Sequence, residues 1–107
     1  MHDLEKVKNI ITENKRDWLF EGFEILDCDY YHQGNCHFFS IWYDDTDYPP
    51  NGGIGYMVFQ SVFTHDVEDD DQYVGDSVCF YDDNTILLRG YREDKGSVEY
   101  KLSRKYA

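Results

Sequence analysis

From Asp17 to Leu88, 72 consecutive residues, the sequence contains no lysine and no arginine. The same run holds sixteen carboxylates: Asp17, Glu21, Glu24, Asp27, Asp29, Asp44, Asp45, Asp47, Asp66, Glu68, Asp69, Asp70, Asp71, Asp76, Asp82 and Asp83. Its formal charge is −16, against +1 for residues 1–16 and +3 for residues 89–107. Whatever the chain folds into presents a surface of one sign over its middle two thirds, with the cations confined to the two ends. The densest stretch is His65–Asp76, which carries Asp66, Glu68, Asp69, Asp70, Asp71 and Asp76.

Such a surface repels nucleic acid and anionic membrane and attracts basic proteins or cations. Direct nucleic-acid binding is therefore disfavoured, and so is a membrane role. The charge does not signal disorder, because 41% of the residues are hydrophobic and 18% aromatic, including ten tyrosines; disordered chains are poor in aromatics. A chain of 107 residues reads as a single domain, residues 1–107, that buries about 65% of its unfolded surface without metals or disulfides.

Residues 3–20 read as an amphipathic helix, since Leu4, Val7, Ile10, Ile11, Trp18 and Leu19 recur at spacings of three and four. Asp3 is placed to cap its start, Lys15 and Arg16 complement the dipole in its last turns, and Gly22 ends it. Strands follow. Phe23–Tyr31 and Cys36–Tyr43 form a hairpin through His32-Gln33-Gly34-Asn35. In the first of these, Leu26, Cys28 and Tyr30 share one face and Asp27 and Asp29 the other. The second carries apolar groups on both faces, which makes it central. Asp44–Gly53 is a Pro- and Gly-containing loop, after which strands are expected at Ile54–Thr64, Ser77–Tyr81 and Thr85–Tyr91, with a last one through Val98, Tyr100 and Leu102. The fold class is α+β: one N-terminal helix packed on a five- or six-stranded, mainly antiparallel sheet.

No apolar run approaches the roughly 18 residues of a membrane span. The N-terminus is charged where a leader would place its apolar core. Three cysteines without a dense framework fit a reducing compartment, so a cytoplasmic protein is expected.

Several chemistries can be weighed against these residues. Asp66-x-Glu68-x-Asp70 resembles the start of a calcium loop, but the positions that would need glycine and a bidentate glutamate hold Asp71 and Ser77. Cys28, His32, Cys36 and His37 are of zinc-ligand type, yet strand alternation sends Cys36 and His37 to opposite faces. Gly52-Gly53-Ile54-Gly55 opens no helix and cradles no phosphate. Cys79 and the serines lack any nucleophile signature. No enzyme, no metal and no cofactor is expected. Tyr48 and Tyr73 lie inside the acidic segments, where an aromatic ring beside carboxylates suits a partner presenting arginine and apolar surface.

The expectation is a small acidic inhibitor that binds the basic nucleic-acid-binding surface of a nuclease or another DNA- or RNA-acting protein. Its contact residues would be Asp44, Asp45, Asp47, Tyr48, Asp66, Glu68, Asp69, Asp70, Asp71, Tyr73 and Asp76. Phage counter-defence by a nucleic-acid mimic, against CRISPR or restriction nucleases, is the preferred setting because the acidity runs along several elements. Immunity to a toxin nuclease is the alternative, and a non-enzymatic assembly or adaptor domain the second alternative.

Overall fold

The computed structural model describes residues 1–61, 73–92 and 95–106, the side chains of 73–76 excepted. One helix, α1 (Asp3–Glu13), and a short 3-10 turn (Lys15–Asp17) precede seven strands. These are β1 (Trp18–Phe20), β2 (Phe23–Gln33), β3 (Cys36–Asp45), β4 (Gly53–Gln60), β5 (Tyr73–Asp82), β6 (Thr85–Arg92) and β7 (Gly96–Arg104). The strands close into a barrel in sequence order, with β1 paired to β7. All pairings are antiparallel except that of β4 with β5. The α+β class and the single helix agree with the sequence reading, but there are seven strands rather than five or six.

The extra strand comes out of the expected helix. The helix stops at Glu13, and Asn14 leaves helical geometry at φ −155 while its side-chain amide donates to Asp17 at 2.6 Å. Trp18 and Phe20 then point inward, 2% and 1% exposed, with Leu19 between them. A three-residue strand is too short to display its period of two, and the seven-residue step from Ile11 to Trp18 also suits a helix. Gly22 fits both readings. With Glu21 at φ 49 and Gly22 at φ 84, the pair forms a two-residue hairpin turn with positive φ at both positions. The start of the helix also differs in detail, since the backbone N–H of Leu4 is capped by the His2 imidazole at 3.1 Å rather than by Asp3.

A bulge changes which side chains of β2 point inward. Ile25 pairs with Tyr43 and Asp27 with Trp42, leaving Leu26 as an extra residue. Ile25 and Cys28 are therefore buried, while Leu26 is 46% exposed.

The core is one cluster of Phe20, Phe39, Ile41, Phe59, Ile86, Leu88 and Leu102 from the barrel wall with Leu4, Val7 and Ile11 from the helix. Helix α1 packs on the inner face of β2 and β3. There Thr12 meets the Cys28 thiol at 3.6 Å. Its N-terminus reaches the start of β3, where His2 stacks on His37 with ring centroids 3.9 Å apart. At its C-terminal end a groove is lined by Ile10, Glu13, Phe80, Asp82, Ile86 and Arg104. The helix thus stoppers one end of the barrel.

Gly55 allows the wall to close around an aromatic. A Cβ built on it would lie 2.2 Å from ring atoms of Tyr43, its cross-strand neighbour, and that ring is wedged between Phe20 and Phe23 at 4.9 and 5.7 Å. Gly55→Ala is expected to destabilise the fold by about 1–3 kcal/mol through overpacking, read as a shift in the denaturation midpoint.

Candidate functional site

Strand parity places the helix and the core on the inner face of β2, β3 and β4. The opposite, outer face of the same strands has no element of the described structure packed on it. Along β3 it presents Phe38, Ser40, Trp42 and Asp44. Their cross-strand neighbours are Tyr31, Asp29 and Asp27 on β2, and Gln60, Val58, Tyr56 and Ile54 on β4.

Two ring pairs organise this surface. Tyr31 stacks on Phe38 with centroids 4.6 Å apart, and Trp42 lies 5.0 Å from Tyr56. Between them Ser40 is 5% exposed, and its hydroxyl lies 3.5 Å from that of Tyr56. Tyr31, Tyr56 and Ile54 remain 52%, 49% and 74% exposed. Rings held in pairs lose little rotamer freedom on docking, which is why such groups anchor protein interfaces.

The carboxylates divide into two groups. Three from the cation-free middle are met by cations of the chain ends: Asp17 by Arg104 at 3.8 Å, Asp27 by Lys15 at 3.4 Å and Glu24 by Lys105 at 2.6 Å. The hydrogen bond from Lys105, reinforced by its charge, holds the Glu24 carboxyl below its usual range. Arg104 also lies over the Trp18 ring at 4.6 Å and donates to the Asp83 carbonyl at 2.8 Å. The second group has no ion pair among the described residues and includes Asp29, Asp44, Asp45 and Asp47. Asp29 and Asp44 belong to the aromatic outer face, and Asp45 and Asp47 continue from it.

The sequence-derived contact residues are distributed as follows. Asp44 ends the outer row of β3. The Asp45 carboxylate accepts the Asp47 N–H at 3.1 Å. The Tyr48 ring packs over Gly53 while staying 62% exposed, and its carbonyl accepts from the Gly52 N–H at 2.6 Å. Tyr73 and Asp76 lie on β5, with their side chains outside the described residues, as are Asp66, Glu68, Asp69, Asp70 and Asp71 altogether. Asp45 pairs with Gly53 and Tyr73 with Phe59. Six residues of β4 therefore put the two acidic segments' anchor points about 20 Å apart. Tyr31, Phe38, Trp42 and Tyr56 are not singled out by the sequence, because apolar residues on both faces of β3 read as the mark of a central strand. The usable signal was that a single helix can cover only one of those faces.

Among the described residues no three His, Cys, Asp or Glu side chains converge as a metal site. The Cys28 thiol is turned into the helix contact, and burial pushes its pKa up. His37 is instead part of a ring stack: its Nδ1 lies 2.6 Å from the Tyr30 hydroxyl, and His32 sits 5.5 Å from it on the other side.

This stack makes the helix start sensitive to acid. Burial first, and then the charge of His37, lower the His2 pKa below its ordinary 6.5, against smaller opposite effects of Asp3 and Glu5. With the folded value depressed, the unfolded chain binds the proton more readily. The stabilisation is full above about pH 6.5 and is lost as pH falls through the folded value. A protonated Nδ1 also cannot accept from Leu4. The midpoint of thermal unfolding should drop more for the wild type than for His2→Asn, which keeps a cap and cannot titrate, between neutral pH and pH about 5.5.

No protein-family model, curated protein or solved structure matches the chain. No helix of the described residues is long and apolar enough to cross a membrane.

Proposed function

We propose that this protein is a non-enzymatic, stoichiometric inhibitor that sets the outer face of β2–β3–β4 against the cationic nucleic-acid-binding surface of a nuclease or a similar protein. The supporting observation is the coincidence, on one face, of two ring pairs, each with one exposed tyrosine, with Asp29 and Asp44, which no cation of the described structure neutralises. The rings supply desolvated anchors, and the carboxylates select a partner surface rich in arginine or lysine and speed its approach. Three free cysteines suit action in a reducing, cytoplasmic setting.

Two biological settings use this physics. One is phage counter-defence against a CRISPR or restriction nuclease, in which carboxylates stand in for phosphates. The other is immunity to a toxin nuclease. The first is the preferred setting, because the acidity runs along several elements of the chain, and immunity to a toxin nuclease is the alternative.

The test is a titration of the protein into purified nucleases of the three kinds, with cleavage of a labelled substrate as the readout. Inhibition should saturate at a fixed stoichiometry and weaken as salt is raised, since opposite surface charges are screened beyond about 10 Å at 0.1 M. A salt-insensitive association with no effect on cleavage would instead describe an adaptor domain, and the inhibitor reading would fall.

A further inference from the structure

We infer that the groove at the barrel mouth, between the C-terminal end of α1 and the β5–β6 turn, binds a linear aliphatic diamine or polyamine. It lies across the ring of strands from β2 and β3, so it does not depend on the docking face proposed above.

The groove exists because one helix does not close the mouth of a seven-stranded barrel. Helix α1 leans on β2 and β3, which leaves the inner side of β5 and β6 open at this end. Phe80 belongs to the inner row, since it faces Ile86 across the ladder and Ile86 faces Leu102. Ile86 and Leu102 are buried, but Phe80 is 41% exposed. Its ring and Ile10 of α1 give the groove its apolar surface, with Trp18 and Ile86 beneath them. The volume is about 530 Å³, within the roughly 300–1,000 Å³ of small-molecule sites, for which the mouth of a barrel is a common place. Strand β5 begins at Tyr73, beside Gln60, and reaches the groove only at its far end, about 30 Å on.

Charge decides the occupant. Each wall carries an apolar side chain and a carboxylate: Ile10 and Glu13 on α1, and Phe80 with Asp82 and Asp83 on the β5–β6 side. None of these carboxylates meets a cation among the described residues. Arg104, the cation in the lining, is already held. Its guanidinium lies 4.6 Å over the Trp18 ring, donates to the Asp83 carbonyl at 2.8 Å and stands 3.8 Å from Asp17. One oxygen of Asp82 accepts the Asn84 N–H at 2.8 Å, which fixes the carboxylate and leaves its other oxygen for a ligand.

A metal ion would need the carboxylates to converge, and no three of them do. An uncharged apolar molecule would desolvate them without a partner. A chain of methylenes with an ammonium at each end meets both requirements. Its two charges reach the two walls, and its apolar stem lies on Ile10 and on the Phe80 ring, which also attracts a nearby cation.

Diaminobutane titrated into the whole protein at low salt is the test, with the NMR signals of the Ile10 and Ile86 methyl groups and the Trp18 indole as the readout. These signals should move together and saturate while that of Trp42 stays unchanged, and spermidine should bind at least as tightly. N-acetyl-lysine amide, which carries a single ammonium on the same butyl chain, should bind about fivefold more weakly, the loss of one exposed ion pair. Magnesium should move none of these signals. Glu13→Gln combined with Asp82→Asn, which keeps an oxygen for the Asn84 N–H, should weaken diamine binding about tenfold at an unchanged denaturation midpoint. Shifts at Trp42 without shifts at Trp18, displacement of the diamine by an equal concentration of magnesium, or undiminished affinity in the double variant would each overturn the inference. Equal affinity for the lysine amide would overturn it too, by assigning the groove to a lysine of a partner protein.

Discussion

Trp42→Ala is expected to weaken binding to the proposed nuclease partner by at least about 30-fold, equivalent to about 2 kcal/mol for a central aromatic anchor. Trp42 is half-buried, shares a ring contact of 5.0 Å with Tyr56 and sits in the middle of the outer row, between the buried Ser40 and the exposed Asp44. Truncation removes its own contact area and also leaves the Tyr56 ring without its support. The fold should tolerate the change, because Trp42 points away from the core that α1 and the barrel share. Titration calorimetry at low salt measures the loss, and an unchanged denaturation midpoint excludes unfolding as its cause. Asp44→Asn should cost less in affinity and should act mainly on the association rate, as expected of a charge at the rim.

Phe20→Ala carries the largest expected effect on the fold, about 3–5 kcal/mol. That is a large share of the roughly 5–15 kcal/mol by which domains of this kind are stable. Phe20 is 1% exposed and touches Tyr43, Phe59 and Tyr100 with ring centroids 4.9, 6.1 and 5.9 Å away. It also belongs to a strand of three residues that joins β2 to β7. A cavity at this position therefore loosens the seam as well as the core. Phe20→Leu, which keeps most of the volume, should cost well under half as much in urea denaturation.

Much of this architecture is legible in the sequence for identifiable reasons. The hairpin at Gly34-Asn35 and the tight turn at Asp83-Asn84 carry the residue types such turns need, and they connect the strands expected there. Alternation in Val98, Tyr100 and Leu102 marks the inner row of β7. The readings that failed share a cause. Trp18–Phe20 is too short for periodicity to declare itself, and the bulge at Leu26 shifts the inner row of β2 by one residue without any glycine to announce it. The parallel pairing of β4 with β5 depends on a long-range register that local patterns do not encode. The site follows the same logic. Net charge points to a surface of one sign and to Tyr48, which lies in a loop that folds back on Gly53. The ring pairs of β2, β3 and β4 emerge only once the helix is seen to occupy the other side of the sheet.

Hydroxyl-radical footprinting of the complex with the proposed nuclease partner addresses the central claim most directly, because it reports on the side chains of the outer face one by one. Trp42, Tyr31 and Tyr56 should be protected from oxidation in the complex, while Tyr81 and Tyr106, exposed at 69% and 81% on β5 and at the C-terminal end, should react as they do in the free protein. Protection confined to Tyr81 and Tyr106, or no change at Trp42 in a complex shown to be saturated, would contradict it.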